Sequence, residues 1–138
     1  MEKEVLLEIN KGVAKVVLNR PHALNALDHN SMDLLIQYTE ELRSDNSIRC
    51  IVLQGNGDNF CAGGDVKSFK SLIEKSPASR RVHFKKFLSQ AHVTIHNLMK
   101  IPVPVIARVQ GSAAGFGLSF VLGADMAIAT ESAKFTMA

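Results

Sequence analysis

The sequence predicts a layered α/β fold, and three observations carry that prediction. Short β-branched runs alternate with segments of helical periodicity along the chain. Two glycine-bearing junctions each follow an apolar strand-like run and lead into a helix-like segment. The 138 residues, 46% apolar and 21% charged, suit one soluble globular domain. Alternating strands and helices place ligand loops at strand ends.

Residues 5–9 and 13–18 are β-branched and partly alternating, and residues 10–12 between them make a hairpin. Residues 20–27 read as a loop, because Pro21 lacks an amide donor and restrains Arg20. Asp28 or Asn30 caps a helix running to about Arg43, with Met32, Leu35, Ile36 and Leu42 near one face. Residues 44–47 turn, residues 50–53 form a strand, and residues 54–58 form a loop. Residues 66–74 predict a short helix, broken by residues 75–79. Residues 80–99 give the clearest helix, with Phe84, Phe87, Leu88, Ala91, Ile95, Leu98 and Met99 at helical spacing. Residues 100–104 end it. A strand over 105–109, a buried helix over 117–122 and a strand over 125–129 follow. Residues 133–138 look like the start of another strand, so the sequence reads as part of a longer protein.

Composition narrows the function classes. A net charge of +3, scattered basic residues and no Trp argue against a dedicated nucleic-acid surface, so no nucleic-acid partner is expected. The pairs Arg80-Arg81 and Lys85-Lys86 read as a solvated helix face. No apolar run is long enough to span a membrane, and Met1-Glu2-Lys3-Glu4 opens with mixed charge, so the expected location is cytoplasmic, with no membrane partner. Cys50 and Cys61 give no disulfide framework; Cys50 reads as core, and Cys61 has no nearby His to activate it as a nucleophile. His92 and His96 lie one helical turn apart, but no Glu follows His92, so they read as a helix face and no metal is expected. Asp65 reads as a helix cap, Asp125 as structural and Glu131 as surface.

The junctions carry the chemistry. The first is Asn59-Phe60-Cys61-Ala62-Gly63-Gly64-Asp65-Val66-Lys67, and the second is Gln110-Gly111-Ser112-Ala113-Ala114-Gly115-Phe116-Gly117-Leu118. Small residues let a ligand approach the backbone, and amides left free at a helix start point at an anion or a polarised carbonyl. Two such sources converging on one oxygen would make an oxyanion hole.

These residues resemble the crotonase family, the enoyl-CoA hydratase/isomerase superfamily. The resemblance rests on Asn19-Arg20-Pro21 with Leu24-Asn25-Ala26-Leu27, on Phe60-Cys61-Ala62-Gly63-Gly64-Asp65, and on Lys100-Ile101-Pro102-Val103-Pro104-Val105-Ile106-Ala107. It continues through Gly111-Ser112-Ala113-Ala114-Gly115-Phe116-Gly117 and Ala124-Asp125-Met126-Ala127-Ile128-Ala129, in family order over nearly the whole chain. It implies a superhelix of ββα turns, here the N-terminal portion of a longer protein, and a homo-oligomer, trimer or dimer of trimers, in the full-length form. It implies an acyl-CoA substrate, with coenzyme A as part of the substrate and no separate cofactor. The amides of Gly64 and Phe116 are implied to hold the thioester oxygen of an enolate, each worth about 3–4 kcal/mol by analogy with other oxyanion holes. The acyl-CoA is implied to contact Pro21, His22, Ala23 and Leu24, and Ala62, Gly64, Asp65, Val66, Lys67 and Phe116.

Two departures mark the chain. Phe116 stands where many members have the middle glycine of a Gly-Gly-Gly run. Ser119 stands where hydratases carry their first glutamate, and a serine cannot supply carboxylate acid/base chemistry. The second glutamate would fall immediately after Ala138. The pattern points to an isomerase or hydratase-like enzyme. The alternative is a non-catalytic CoA-binding or scaffolding protein on the same fold, and residues 1–138 alone are expected to show little turnover.

Overall fold

The computed structural model describes residues 3–137; Met1, Glu2 and Ala138, the end of the last predicted strand, lie outside the described residues. Strands β1 (Val5–Asn10) and β2 (Val13–Leu18) form the expected antiparallel hairpin. Strand β3 (Cys50–Gly55) pairs parallel to β2, β4 (Val105–Val109) to β3, and β6 (Met126–Ala129) to β4, giving the order β1-β2-β3-β4-β6. Parallel neighbours need crossovers, and the helices supply them. Helix α1 (His29–Ser44) joins β2 to β3; α2 (Val66–Phe69) and α3 (Pro77–Lys100) join β3 to β4; α4 (Phe116–Gly123) lies before β6.

A second row of pairings runs beside this sheet. Leu27 bridges Gly64, Cys61 bridges Ala113, and β5 (Ser112–Ala114) pairs parallel with β7 (Lys134–Thr136). Each pass of the chain thus contributes a strand to the first sheet, then a segment to the second row, then helix. Repeated, this is the ββα spiral that the resemblance implies. Its core is built from alternating strand residues, such as Ile51 and Leu53, packed on Met32, Leu35 and Leu42 of α1 and Ala91 and Leu98 of α3.

Several expectations are corrected. The helix predicted over 66–74 is one turn, α2, followed by a 3-10 turn over Lys70–Leu72. Helix α3 begins earlier than predicted, at Pro77, because Ser76 accepts the Ser79 amide and proline suits the first helical position. The apolar spacing along α3 overstated its core face: Phe84, Leu88 and Met99 are exposed, while the polar Gln90, Thr94 and Asn97 are buried. Thr94 and Asn97 are tolerated there because Thr94 donates to the Gln90 carbonyl and Asn97 to the Thr39 hydroxyl. Cys50 is half-buried rather than core. Helix α4 is half-buried, with only Gly117 and Phe120 fully covered. Strand β5 was not foreseen; its three residues, with Ala113 alone buried, are too short for a periodicity signal.

Candidate active site

Three loops meet at one end of the spiral. The first, residues 19–27, carries a 3-10 turn over Pro21–Ala23, with Pro21 and His22 exposed and Ala23 half-buried. Leu24 and Asn25 follow, both with positive φ (53° and 54°), an uncommon conformation for non-glycine residues. Buried Asn25 holds it in place. Its carbonyl oxygen accepts the Arg20 amide at 2.9 Å, and its amide nitrogen donates to the carbonyls of Asn56 at 2.9 Å and Asn59 at 2.7 Å. The positive φ leaves Leu24 half-exposed, and its carbonyl accepts the Ala62 amide at 3.0 Å.

Arg20 then ties this loop to the second. Its guanidinium donates to the Ala26 carbonyl and to Asp65 Oδ2 at 2.8 Å, and lies 3.4 Å from Asp28. Asp65 uses its other oxygen to accept the amides of Lys67 and Ser68, so it caps α2 as expected. Burial alone would raise the Asp65 carboxyl. The Arg20 guanidinium and the two amides outweigh burial and hold it below the usual carboxylate range. Val66 and Lys67 are exposed on α2. Arg20 and Asn25 stand in the motif that carries the resemblance, which assigns neither of them a role. A buried polar residue in a left-handed conformation is visible only once the backbone is known.

The second and third loops pair with each other. Cys61 donates to the Ser112 carbonyl at 3.0 Å and accepts the Ala114 amide at 2.9 Å. Asn59 Oδ1 accepts the Ser112 amide at 3.0 Å. Gly117 sits on Cys61 so closely that a β-carbon there would overlap the Cys61 carbonyl. Gly63, at φ +99°, faces the same seam: a β-carbon on it would stand 3.0 Å from the Ala114 carbonyl oxygen and 3.5 Å from the Phe116 amide nitrogen.

The seam sets the start of α4 against the loop that carries Gly63 and Gly64. Among the described residues, neither the Gly64 amide nor that of Phe116 donates to a protein acceptor. Gly64 is half-buried, and Phe116 opens α4, where helix geometry leaves the first amides free. A cleft of about 490 Å³ opens beside Phe116, lined by Gly115, Leu118, Ser119, Leu122 and Met137. The Phe116 ring packs edge-on against buried Phe120, 5.0 Å between centroids. A free amide at the start of a helix beside an apolar cleft can bind an anionic or polarised oxygen.

The sequence profile of enoyl-CoA hydratase/isomerase matches residues 13–138. The chain belongs to the enoyl-CoA hydratase/isomerase family. It is similar to 1,2-epoxyphenylacetyl-CoA isomerase of Escherichia coli (strain K12), 36% identical over 139 residues, which cover 100% of this chain and 52% of that protein. It is 38% identical over 132 residues to (E)-benzylidenesuccinyl-CoA hydratase of Thauera aromatica, covering 95% of this chain and 48% of the relative. The crystal structure of an enoyl-CoA hydratase from Mycobacterium smegmatis superposes with a TM-score of 0.88 at 34% identity, covering 97% of this chain and 50% of that one. The chain spans about half the length of the relatives it matches.

Other side chains weighed from sequence lie outside this site or serve only its packing. Cys61 is buried beside Gly63, and burial pushes its thiol up to about 12, far from a reactive thiolate. His92 and His96 are exposed on α3. Asp125 accepts the Val105 amide at 2.8 Å, a strand-to-strand tie. Among the described residues no cluster of three His, Cys, Asp or Glu side chains is arranged to hold a metal.

Proposed function

We propose that the protein is an acyl-CoA thioester-processing enzyme that stabilises a thioester enolate between the Gly64 and Phe116 amides, an enoyl-CoA isomerase or hydratase-like enzyme. The observation that carries this reading is the seam: Gly63 packs toward the Phe116 amide nitrogen, and two amides without protein acceptors flank it. Proton removal beside a thioester puts negative charge on its oxygen, and fixed amides there act in the transition state at no reorganisation cost. Pro21 to Leu24 and Ala62 to Lys67 are the proposed backbone contacts for coenzyme A; the Ala62–Leu24 hydrogen bond and the Arg20–Asp65 pair hold these loops together. The acyl group is proposed to be aromatic. The rings of Phe69 and Phe87 line Gly64, and the names of both relatives given above contain a phenyl-bearing acyl group.

A second reading, a non-catalytic CoA-binding protein, is favoured by Ser119, which lines the cleft beside Phe116 with a hydroxyl in place of a carboxylate. Titration of the whole protein with an unreactive aryl-acyl-CoA separates these from no function at this site. Both readings expect amide chemical-shift changes at Gly64 and Phe116; only the first expects α-proton exchange of the ligand with deuterated solvent. No binding at millimolar ligand defeats both.

A further inference from the structure

The aromatic wall against Gly64 ends in a histidine pair that the oxyanion chemistry does not use. Phe69 and Phe87 lie 3.5–3.6 Å from where a Gly64 β-carbon would be, with their centroids 5.3 Å apart. Beyond them, His29 stands edge-on to Phe87 at 5.5 Å and His83 edge-on to Phe69 at 6.2 Å. The imidazoles meet at 4.4 Å, with their Nε2 atoms 3.0 Å apart. Phe84 closes the cluster, 5.0 Å from Phe69. Phe69 thus borders both the space beside Gly64 and the His83 ring.

A chain of hydrogen bonds fixes which nitrogen carries each proton. Asp33 accepts from Gln90 Nε2, so the Gln90 amide is turned with Oε1 toward His29. Gln90 is buried on α3, which holds that orientation. Oε1 can only accept, so His29 Nδ1, at 2.8 Å, bears a hydrogen. A neutral His29 then has an acceptor at Nε2, and His83 must donate from its own Nε2. That leaves His83 Nδ1 as a lone pair, and it has no donor among the described residues. A histidine merely packed at a helix surface needs no such chain behind it.

The surroundings of His83 disfavour its charged form. Burial, then His29, then the ammonium groups of Lys75 before α3 and Lys86 on α3, hold His83 below the ordinary imidazole range. Phe69 from α2 and Phe84 and Phe87 from α3 bring no charge. Asp33 on α1 is the one carboxylate in this chain of contacts, and it reaches His29 through Gln90.

We infer that His83 Nδ1 is the acceptor and base for a hydroxyl at the far end of an aromatic acyl thioester, a 4-hydroxyaryl-acyl-CoA, bound along Phe69 and Phe87; this rests on the acyl-CoA reading of Gly64 and Phe116. The ligand O–H bond breaks and an N–H bond forms at His83 Nδ1. The proton on His83 Nε2 passes to His29 Nε2, and the charge rests on His29 with Nδ1–H still on Gln90. The ligand is left as a phenolate, conjugated with a thioester oxygen that the two amides polarise, so each end of the ligand favours the change at the other.

The test uses the whole protein with two probes, 4-hydroxycinnamoyl-CoA and cinnamoyl-CoA, read by absorbance and by titration calorimetry. The hydroxylated probe should bind about tenfold more tightly, the worth of one well-made hydrogen bond, and its phenol should ionise at lower pH when bound than when free. His83→Phe should bring the ratio of the two affinities to within about twofold. His83→Gln, which keeps an acceptor but no base, should keep part of the affinity ratio and lose the lowered ionisation. His29→Gln should move the ionisation midpoint up, which a purely structural histidine would not do. Ratios within each variant cancel differences in folded fraction. Equal affinity for both probes in the unaltered protein, or a preference that survives His83→Phe, overturns the inference while leaving the acyl-CoA reading intact. Failure of both probes to bind overturns both.

Discussion

The amide nitrogen of Phe116 lies 3.5 Å from the point where a β-carbon on Gly63 would stand, and the Ala114 carbonyl oxygen lies 3.0 Å from it. The missing side chain of Gly63 is therefore part of the seam. Gly63→Ala would force a β-carbon into the gap at a φ of +99°, which side chains rarely adopt. The expected loss is about 2 kcal/mol in urea unfolding. Acyl-CoA affinity should fall further than stability does, because the Phe116 amide is displaced. An unchanged Kd would dissociate Gly63 from the site.

Gly117→Ala tests the other side. A β-carbon there meets the Cys61 carbonyl and Cβ, and backbone cannot rotate away as a flexible side chain can. Destabilisation of about 3 kcal/mol is expected, with the start of α4 shifted. Hydrogen exchange at Leu118 and Ser119, which donate to the Gly115 carbonyl, should quicken.

Arg20→Leu leaves Asp65 without its cation. The pair is nearly buried, at 14% and 11% side-chain exposure, so the expected cost is about 2–3 kcal/mol rather than the small value of a surface pair. Asp65 also gives the pH dependence. Its carboxyl is held below the unfolded value, so its contribution is fully present above the unfolded carboxylate pKa. It is lost as pH falls through the lower folded value. Thermal melts of the unaltered protein should therefore fall steeply through that acid window, and those of Asp65→Asn should fall less.

The two thiols should react unequally. Cys61 is fully buried with its thiol pushed up to about 12, whereas Cys50 is half-buried in β3. Iodoacetamide at pH 8 should label Cys50 alone in the folded protein and both residues in urea, read by peptide mass spectrometry. Fast labelling of Cys61 in the folded state would contradict the packing of the second loop.

What could be read from the sequence followed local physics. The hairpin, a cap of α1 at Asp28 or Asn30 and the strand over 105–109 rest on residues whose preferences act within a few positions; the structure keeps all three and settles the cap on Asp28. The short helix after Asp65 was overextended because residues 66–74 carry no strong stop, although only one α-turn forms. The burial of Gln90 and Asn97 on α3 was hidden, because a polar residue goes inside only when a distant partner meets it: Asn97 finds Thr39, and Gln90 finds His29 and Asp33. At the site, Gly64 and Phe116 came from the resemblance, while Arg20, Asn25 and His83 depend on contacts across the fold that no spacing encodes.

The fastenings described above also set an order of assembly. Arg20 and Asp65 are 45 residues apart in sequence, and Asn59 and Ser112 are 53 apart, so none of these ties can form early by local closure. Parallel strands separated by whole helices pair slowly, because loop-closure entropy is spent before contacts repay it. Formation of the seam thus reports that three successive coils of the spiral have already docked in the correct register. A chain with only its first two coils wound would have the Gly64 loop docked on Leu27 but no Phe116 amide beside it, so the proposed oxygen site is complete only when the third coil docks.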